Sequence, residues 1–281
     1  MTTRHLKQLV TGQPTSDGAG VELVRVIGQP ALMDLDPFLL LDVFRSDNPD
    51  DYIAGFPPHP HRGFETVTYL LNGRMRHQDN AGNEGVIEAG GIQWMTAGKG
   101  IVHSEMPEQE DGLLEGFQLW INLPASHKMS APAYQEHDRA QIPLETGPGT
   151  EIRVITGTTS KGTAGPVSQP LTEPLYFDVS LDAGTVFNEV LPETHNAFVY
   201  VIIGELRLED ESGQVRAVAR DQLAILGPGD TIELGSGDEA ARFLLVAGKP
   251  LHEPVARGGP FVMNTDSEVR QAFNDYQSGN F

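Results

Sequence analysis

The sequence predicts an all-β protein: two consecutive β-barrels followed by a short C-terminal helix. Three observations carry this reading. Apolar and polar residues alternate in short runs, in a chain of 281 residues that holds 31 glycines and 20 prolines to turn between them. The pattern of the first half returns in the second, with residues 66–73 echoed by 197–204 and residues 92–98 by 223–229. Helical periodicity is clearest near the end, where Val269, Phe273 and Tyr276 fall at i, i+4 and i+7.

Taken in order, residues 1–137 form the first expected barrel. Residues 21–27 and 38–44 are its clearest early strands, the second apolar on both faces. A polar loop over 46–58 follows. Val67, Tyr69 and Leu71 then alternate toward a core, and Asn72-Gly73 signals a hairpin turn into a return strand over 74–78. Asn80-Ala81-Gly82, Gly90-Gly91 and Ala97-Gly98 punctuate further short strands, and 117–123 is the last strand of this half. Residues 138–170 are rich in Gly, Thr, Ser and Pro and are expected to connect the halves, interrupted by one strand over 152–156. Residues 171–250 form the second barrel, and 251–281 a tail whose helix is capped by Asp266 or Ser267.

The formal net charge of −20 argues against general affinity for nucleic-acid phosphate or anionic membranes. No apolar window is long enough for a transmembrane helix, and residues 1–10 lack a signal-peptide core. With no cysteine there are no disulfides and no thiolate metal ligands. A cytoplasmic location is the expectation.

The chemistry concentrates in two short segments. His59 and His61 sit two residues apart, as do His103 and Glu105. On a strand, side chains at i and i+2 share a face. Two such pairs meeting across a folded sheet bring three imidazoles and a carboxylate to one point, a mixed N/O site for a transition metal. Glu65 competes with Glu105 for the fourth place, although Gly63 can break its parity with His61. In the repeat, aligning Gly204 on Gly73 puts Val190, Pro192 and Asn196 where His59, His61 and Glu65 stand. Aligning Gly229 on Gly100 puts Ile232 and Leu234 at His103 and Glu105. The second barrel should therefore bind no metal there, and one ion per chain is expected. His195 nearby reads as a surface or loop histidine. Phe56, Phe64, Trp94, Met95 and Trp120 are the candidates to line an apolar pocket at the site.

His59-x-His61-x-x-x-Glu65 with Gly73, and Gly100-x-x-His103, are similar to the two motifs of the cupin superfamily. The longer runs 58–70, 93–107, 118–123 and 259–265 resemble the pirin family in particular. That resemblance implies a bicupin whose C-terminal segment returns to the N-terminal domain. It implies His59, His61, His103 and Glu105 as ligands to a divalent transition metal, Fe(II) first, with Mn, Ni, Co, Cu and Zn as alternatives. Glu65 would then orient a ligand imidazole. The implied activity is that of quercetin 2,3-dioxygenase, the opening of the flavonol central ring by O2 with release of carbon monoxide. Glu105 is first choice as general base for the substrate hydroxyl and Glu65 second. The resemblance also carries a second expectation, an iron- and redox-dependent regulatory protein that binds a transcription factor or metabolic enzyme.

Overall fold

The computed structural model describes residues 1–281 and resolves into two compact units. The first comprises residues 13–29, 37–139 and 251–281. Its seven-stranded antiparallel sheet runs in the order Ala133–His137, Ile92–Thr96, Phe64–Asn72, Leu114–Asn122, Phe38–Ser46, Val21–Ile27, Gln13–Asp17. Phe64–Asn72 and Phe38–Ser46 flank the central strand and are buried almost throughout, although only residues 38–44 read as apolar on both faces. A second sheet pairs Phe56–His61, Ile101–Pro107, Arg74–Asp79 and Glu84–Glu88 in that order.

Asn72-Gly73 turns the chain as expected but does not make a hairpin. Phe64–Asn72 pairs with Ile92–Thr96 and Leu114–Asn122, whereas Arg74–Asp79 belongs to the four-stranded sheet. Gly73, at φ +88°, is the corner where the chain leaves one sheet for the other. The same sequence signal serves a hairpin or a corner, because both need a residue at positive φ.

The second unit comprises residues 1–12, 30–36 and 140–250 and repeats the arrangement, with sheets of seven and four strands. Its first strand, Leu6–Thr11, pairs with Gln222–Leu226, so the opening residues complete this barrel and not the one expected from their position. Likewise Leu144–Gly147 and Thr150–Thr156, expected within a connection, form one edge of its seven-stranded sheet. Alternation reveals a strand but not its partner, which explains both differences. In the four-stranded sheet Ile232 pairs with Glu189, one residue from the Val190 that the glycine alignment placed opposite His59. The Glu189 carboxylate accepts the backbone N–H groups of Ser160 and Val190. Ile232, Leu234 and Phe187 are buried here in one apolar core with Phe243, whose ring meets that of Phe187 edge-on at 5.8 Å. Where the first barrel carries ligands, the second carries packing.

The tail over 251–281 groups with the first unit. Ala256–Gly258 and Phe261–Met263 pair as a short ribbon, and the helix Asp266–Gln277 follows. Its cap is Thr265, one residue before the expected Asp266. The Thr265 side chain accepts from the Glu268 N–H, and the Glu268 carboxylate reaches back to the Thr265 hydroxyl and the Asn264 N–H. Val269 is buried, while Phe273 and Tyr276 stay partly exposed with their rings against Phe261. No helix is long and apolar enough to cross a membrane.

Candidate metal centre

Strand pairing builds the site. Phe56–His61 runs antiparallel to Ile101–Pro107 with His59 directly opposite His103. Strand parity keeps His61 on the same face as His59. The ring centroids of His59, His61 and His103 lie 4.4–5.0 Å apart, and one donor atom from each falls within 4.8 Å of the others. They form the one group of three or more potential ligand side chains close enough to hold an ion.

The second nitrogen of each ring shows what the first is for. His59 Nδ1 lies 2.9 Å from the Pro57 carbonyl, and His61 Nδ1 lies 3.4 Å from the Pro260 carbonyl. A carbonyl only accepts, so each Nδ1 carries the proton and each neutral ring presents a lone pair at Nε2. His103 Nδ1 faces His77 Nδ1 at 3.3 Å, and His77 Nε2 faces Asp79 at 3.1 Å. A neutral His77 that donates Nε2–H to Asp79 accepts at Nδ1, which leaves the lone pair of His103 at Nε2 as well. Asp79 is itself fixed by the N–H groups of Ala81 and Asn83 and by the Asn83 amide.

His59 Nε2 and His61 Nε2 face each other at 3.0 Å, a contact that tautomers donating at both Nδ1 atoms leave without a proton. His103 Nε2 is buried and has no hydrogen-bond partner. Burial, and after it the neighbouring imidazoles, push His61 and His103 well below the usual imidazole range, so they stay neutral. Three converging imidazoles, two of them held neutral by burial, are unfavourable as they stand and favourable around a cation. The residues fit a divalent transition metal.

The two glutamates are separated by the fold. Glu105 lines the cavity beside His59 and His61, with Oε1 2.6 Å from the Thr68 hydroxyl and Oε2 accepting from the Gln118 amide at 2.8 Å. Glu65 lies on Phe64–Asn72, 1% exposed, and accepts the Thr96 hydroxyl at 2.6 Å. Pro57, Pro260 and His77 face the second ring nitrogens of His59, His61 and His103.

The cavity measures about 630 Å³, within the range of roughly 300–1,000 Å³ usual for small-molecule sites. Phe56 and Trp120 line it as expected. Phe64 is fully buried behind them, its ring 4.3 Å from Trp120 and 5.1 Å from His61. Trp94 and Met95 do not reach the cavity lining. Ile92–Thr96 lies inside the seven-stranded sheet with both faces covered, so both side chains are core, Met95 packing with Ala97, Ile101 and Tyr134. The walls are also more polar than expected, since Arg25, Asp42, Gln118 and Arg257 stand among Leu23, Phe44, Phe56 and Trp120. His195, expected at the surface or in a loop, occupies a turn but is only 4% exposed.

Several contributors escaped the sequence reading. His77-x-Asp79 repeats the i, i+2 spacing of the ligand pairs and was the available signal. Lys128 is 1% exposed and donates to the Gly63 and Val262 carbonyls and to Asn122 Oδ1; burial pushes its ammonium down to about 8. It fastens the tail to the turn just after His61. Replacing His77 with Phe keeps the ring stacked on Tyr134, 4.6 Å away, but removes the acceptor for His103. Metal affinity, read by chelator competition, should fall about 10- to 100-fold. Unchanged affinity would show that His77 does not orient His103.

Comparison with known proteins agrees with this geometry. The Pirin family profile matches residues 20–121, and that of the Pirin C-terminal cupin domain matches 176–281. A pirin-like protein of Caulobacter vibrioides is 54% identical over the full length of both chains. A Pseudomonas aeruginosa protein, provisionally named a quercetin 2,3-dioxygenase, is 50% identical over 98% of this chain and 97% of its own. The crystal structure of quercetin 2,3-dioxygenase from Acinetobacter baumannii superposes with a TM-score of 0.89 at 32% identity, covering 99% of this chain and 98% of that one.

Proposed function

The chain belongs to the pirin family, and from that premise we propose that it is a metal-dependent dioxygenase of the quercetin 2,3-dioxygenase type. The reaction would open the central ring of a flavonol with O2 and release carbon monoxide. One observation carries the reading: three buried or half-buried imidazoles turn their Nε2 atoms toward a single point beside a cavity that Glu105 also faces. His59, His61 and His103 would hold the ion, with Glu105 as its oxygen donor and Fe(II) as the first candidate. Such a metal, when bound, supplies Lewis acidity toward a substrate oxygen and electron exchange with O2.

The chain's own residues would do the rest. Glu105, held by Thr68 and Gln118, is placed to take the proton of the flavonol 3-hydroxyl. Phe56 and Trp120 would cover the apolar body of the ligand and exclude water. Glu65, turned to Thr96, supports the barrel wall and is the lesser candidate for base or ligand.

The test is turnover. Iron-loaded protein should consume quercetin and O2 one for one and release carbon monoxide. Apoprotein and His59→Ala should match the slow background oxidation of free flavonol in air. Flavones, which lack the 3-hydroxyl, should not react. Glu105→Gln should cost about 10²- to 10⁴-fold in rate, and Glu65→Gln much less. Equal rates for apoprotein and metalloprotein would end the dioxygenase reading and put the redox-responsive binding protein in its place.

A further inference from the structure

We propose that Arg257 makes this cavity selective for anionic aromatic ligands: the hydroxyl end lies toward His59, His61 and Glu105, and a negatively charged group at the far end pairs with the guanidinium. The proposal rests on the reading of the cavity as a substrate site, but not on the substrate being a flavonol.

The argument begins with which charges are already paired. Two arginines, Arg25 and Arg257, line the cavity with three carboxylates, Asp17, Asp42 and Glu105. Arg25 grips Asp42 through two parallel bonds of 2.8 and 2.7 Å and takes Asp17 Oδ2 at 2.9 Å. Asp17 Oδ1 accepts the Gly18 N–H, and both Glu105 oxygens are held by Thr68 and Gln118. Arg257 has no carboxylate of its own. Its single hydrogen bond is a long one, from Nη1 to the Leu39 carbonyl at 3.4 Å. An arginine fork left with open donors on a cavity wall is shaped for a carboxylate or another anionic oxygen group.

Its position matches the reacting end of the site. The guanidinium carbon lies 4.8 Å over the Trp120 ring, and that ring meets His61 edge-on at 5.1 Å. The cation and the His61 imidazole thus share one indole as a neighbour. With Arg257 over the indole, a ligand that lies against Trp120 also meets a cation.

The charge balance points the same way. Two guanidinium groups against three carboxylates leave the wall one negative charge. A divalent ion at the histidines turns this into one positive charge, which a monoanion neutralises. The chain as a whole, at −20, repels anions, so the attraction would be local to this cavity and selective.

The test compares 6-hydroxy-2-naphthoate with 2-naphthol, which lacks the carboxylate, by isothermal titration calorimetry on the metal-loaded protein. Wild type should bind the naphthoate about 10- to 100-fold more tightly than the naphthol. Arg257→Gln should bring the two together, and Arg257→Lys should keep part of the preference. An unchanged preference in Arg257→Gln would overturn the proposal. Equal loss of both ligands in that variant would also overturn it, since Arg257 would then be supporting Trp120 rather than reading charge. The outcome is separable from flavonol turnover. An Arg257-dependent preference without quercetin cleavage would keep this inference and sink the dioxygenase reading; cleavage without the preference would do the reverse.

Discussion

Replacing His103 with alanine is expected to abolish metal retention while leaving a folded protein. Wild type should hold one ion per chain after dialysis, because the second barrel has Ile232 and Leu234 packed in its core at the matching positions. If a four-donor site is worth about 10–16 kcal/mol, removing one imidazole removes roughly a quarter of it, about 70- to 900-fold in affinity. The sign of the stability change depends on the metal. With metal present the variant should melt lower than wild type, because only wild type gains binding energy. Without metal it should melt no lower, since alanine removes the buried, unpartnered His103 Nε2. Elemental analysis and paired melting curves, with and without chelator, test both statements. Two ions per chain in wild type, or full retention in His103→Ala, would refute the one-site assignment.

A comparable effect is expected at a residue with no side chain. Gly63 sits at φ +88°, and a Cβ there would lie 2.0 Å from the Val262 carbonyl oxygen and 2.9 Å from Met263 Sδ. That oxygen also accepts from Lys128, and the Val262 N–H donates to the Arg62 carbonyl at 3.0 Å. Gly63→Ala cannot keep this contact. It should cost about 3 kcal/mol or more, combining the strained backbone with overpacking. Metal affinity should fall with it, because displacing the tail takes the Pro260 carbonyl from His61. Gly82→Ala separates the two causes: Gly82 has φ +94° with nothing within 4 Å of its Cβ position. It should show only the conformational cost, roughly 1–2 kcal/mol, with metal affinity intact. Similar melting temperatures for the two variants would mean that the tail contact at Gly63 contributes little.

The three histidines were legible because strand parity is a local rule: His-x-His on one strand and His103 on the next need only a register to meet. The fold was legible for a related reason, since alternation, turn residues and the internal repeat all act over short distances. What lay hidden acts at long range. The resemblance implied that the C-terminal segment returns to the N-terminal domain, but nothing around Pro260 or Arg257 announces a carbonyl for His61 and a cation for the cavity. Leu6–Thr11 showed itself as a strand, but its partner in Gln222–Leu226 could not be read from alternation. Trp94 and Met95 misled for the opposite reason. Size and apolarity qualify a side chain for a pocket wall and for a core equally, and only the covered faces of the sheet decide between them.

The exchange of terminal segments also bears on how the protein is made. The first barrel draws on residues 251–281, so it stays incomplete through the synthesis of the whole second barrel. The carbonyl that steadies His61 lies 199 residues downstream, a wait of roughly 10–40 s at elongation speeds of about 5–20 residues per second. Through that interval Gly63 lacks its Val262 neighbour, and the nascent chain has the imidazoles but not the brace that aims one of them. The second barrel, with its N-terminal strand already made, can close first. Ion capture would then wait for this segment, and a chain stalled short of about residue 260 would carry every histidine of the site without a finished place for them to converge.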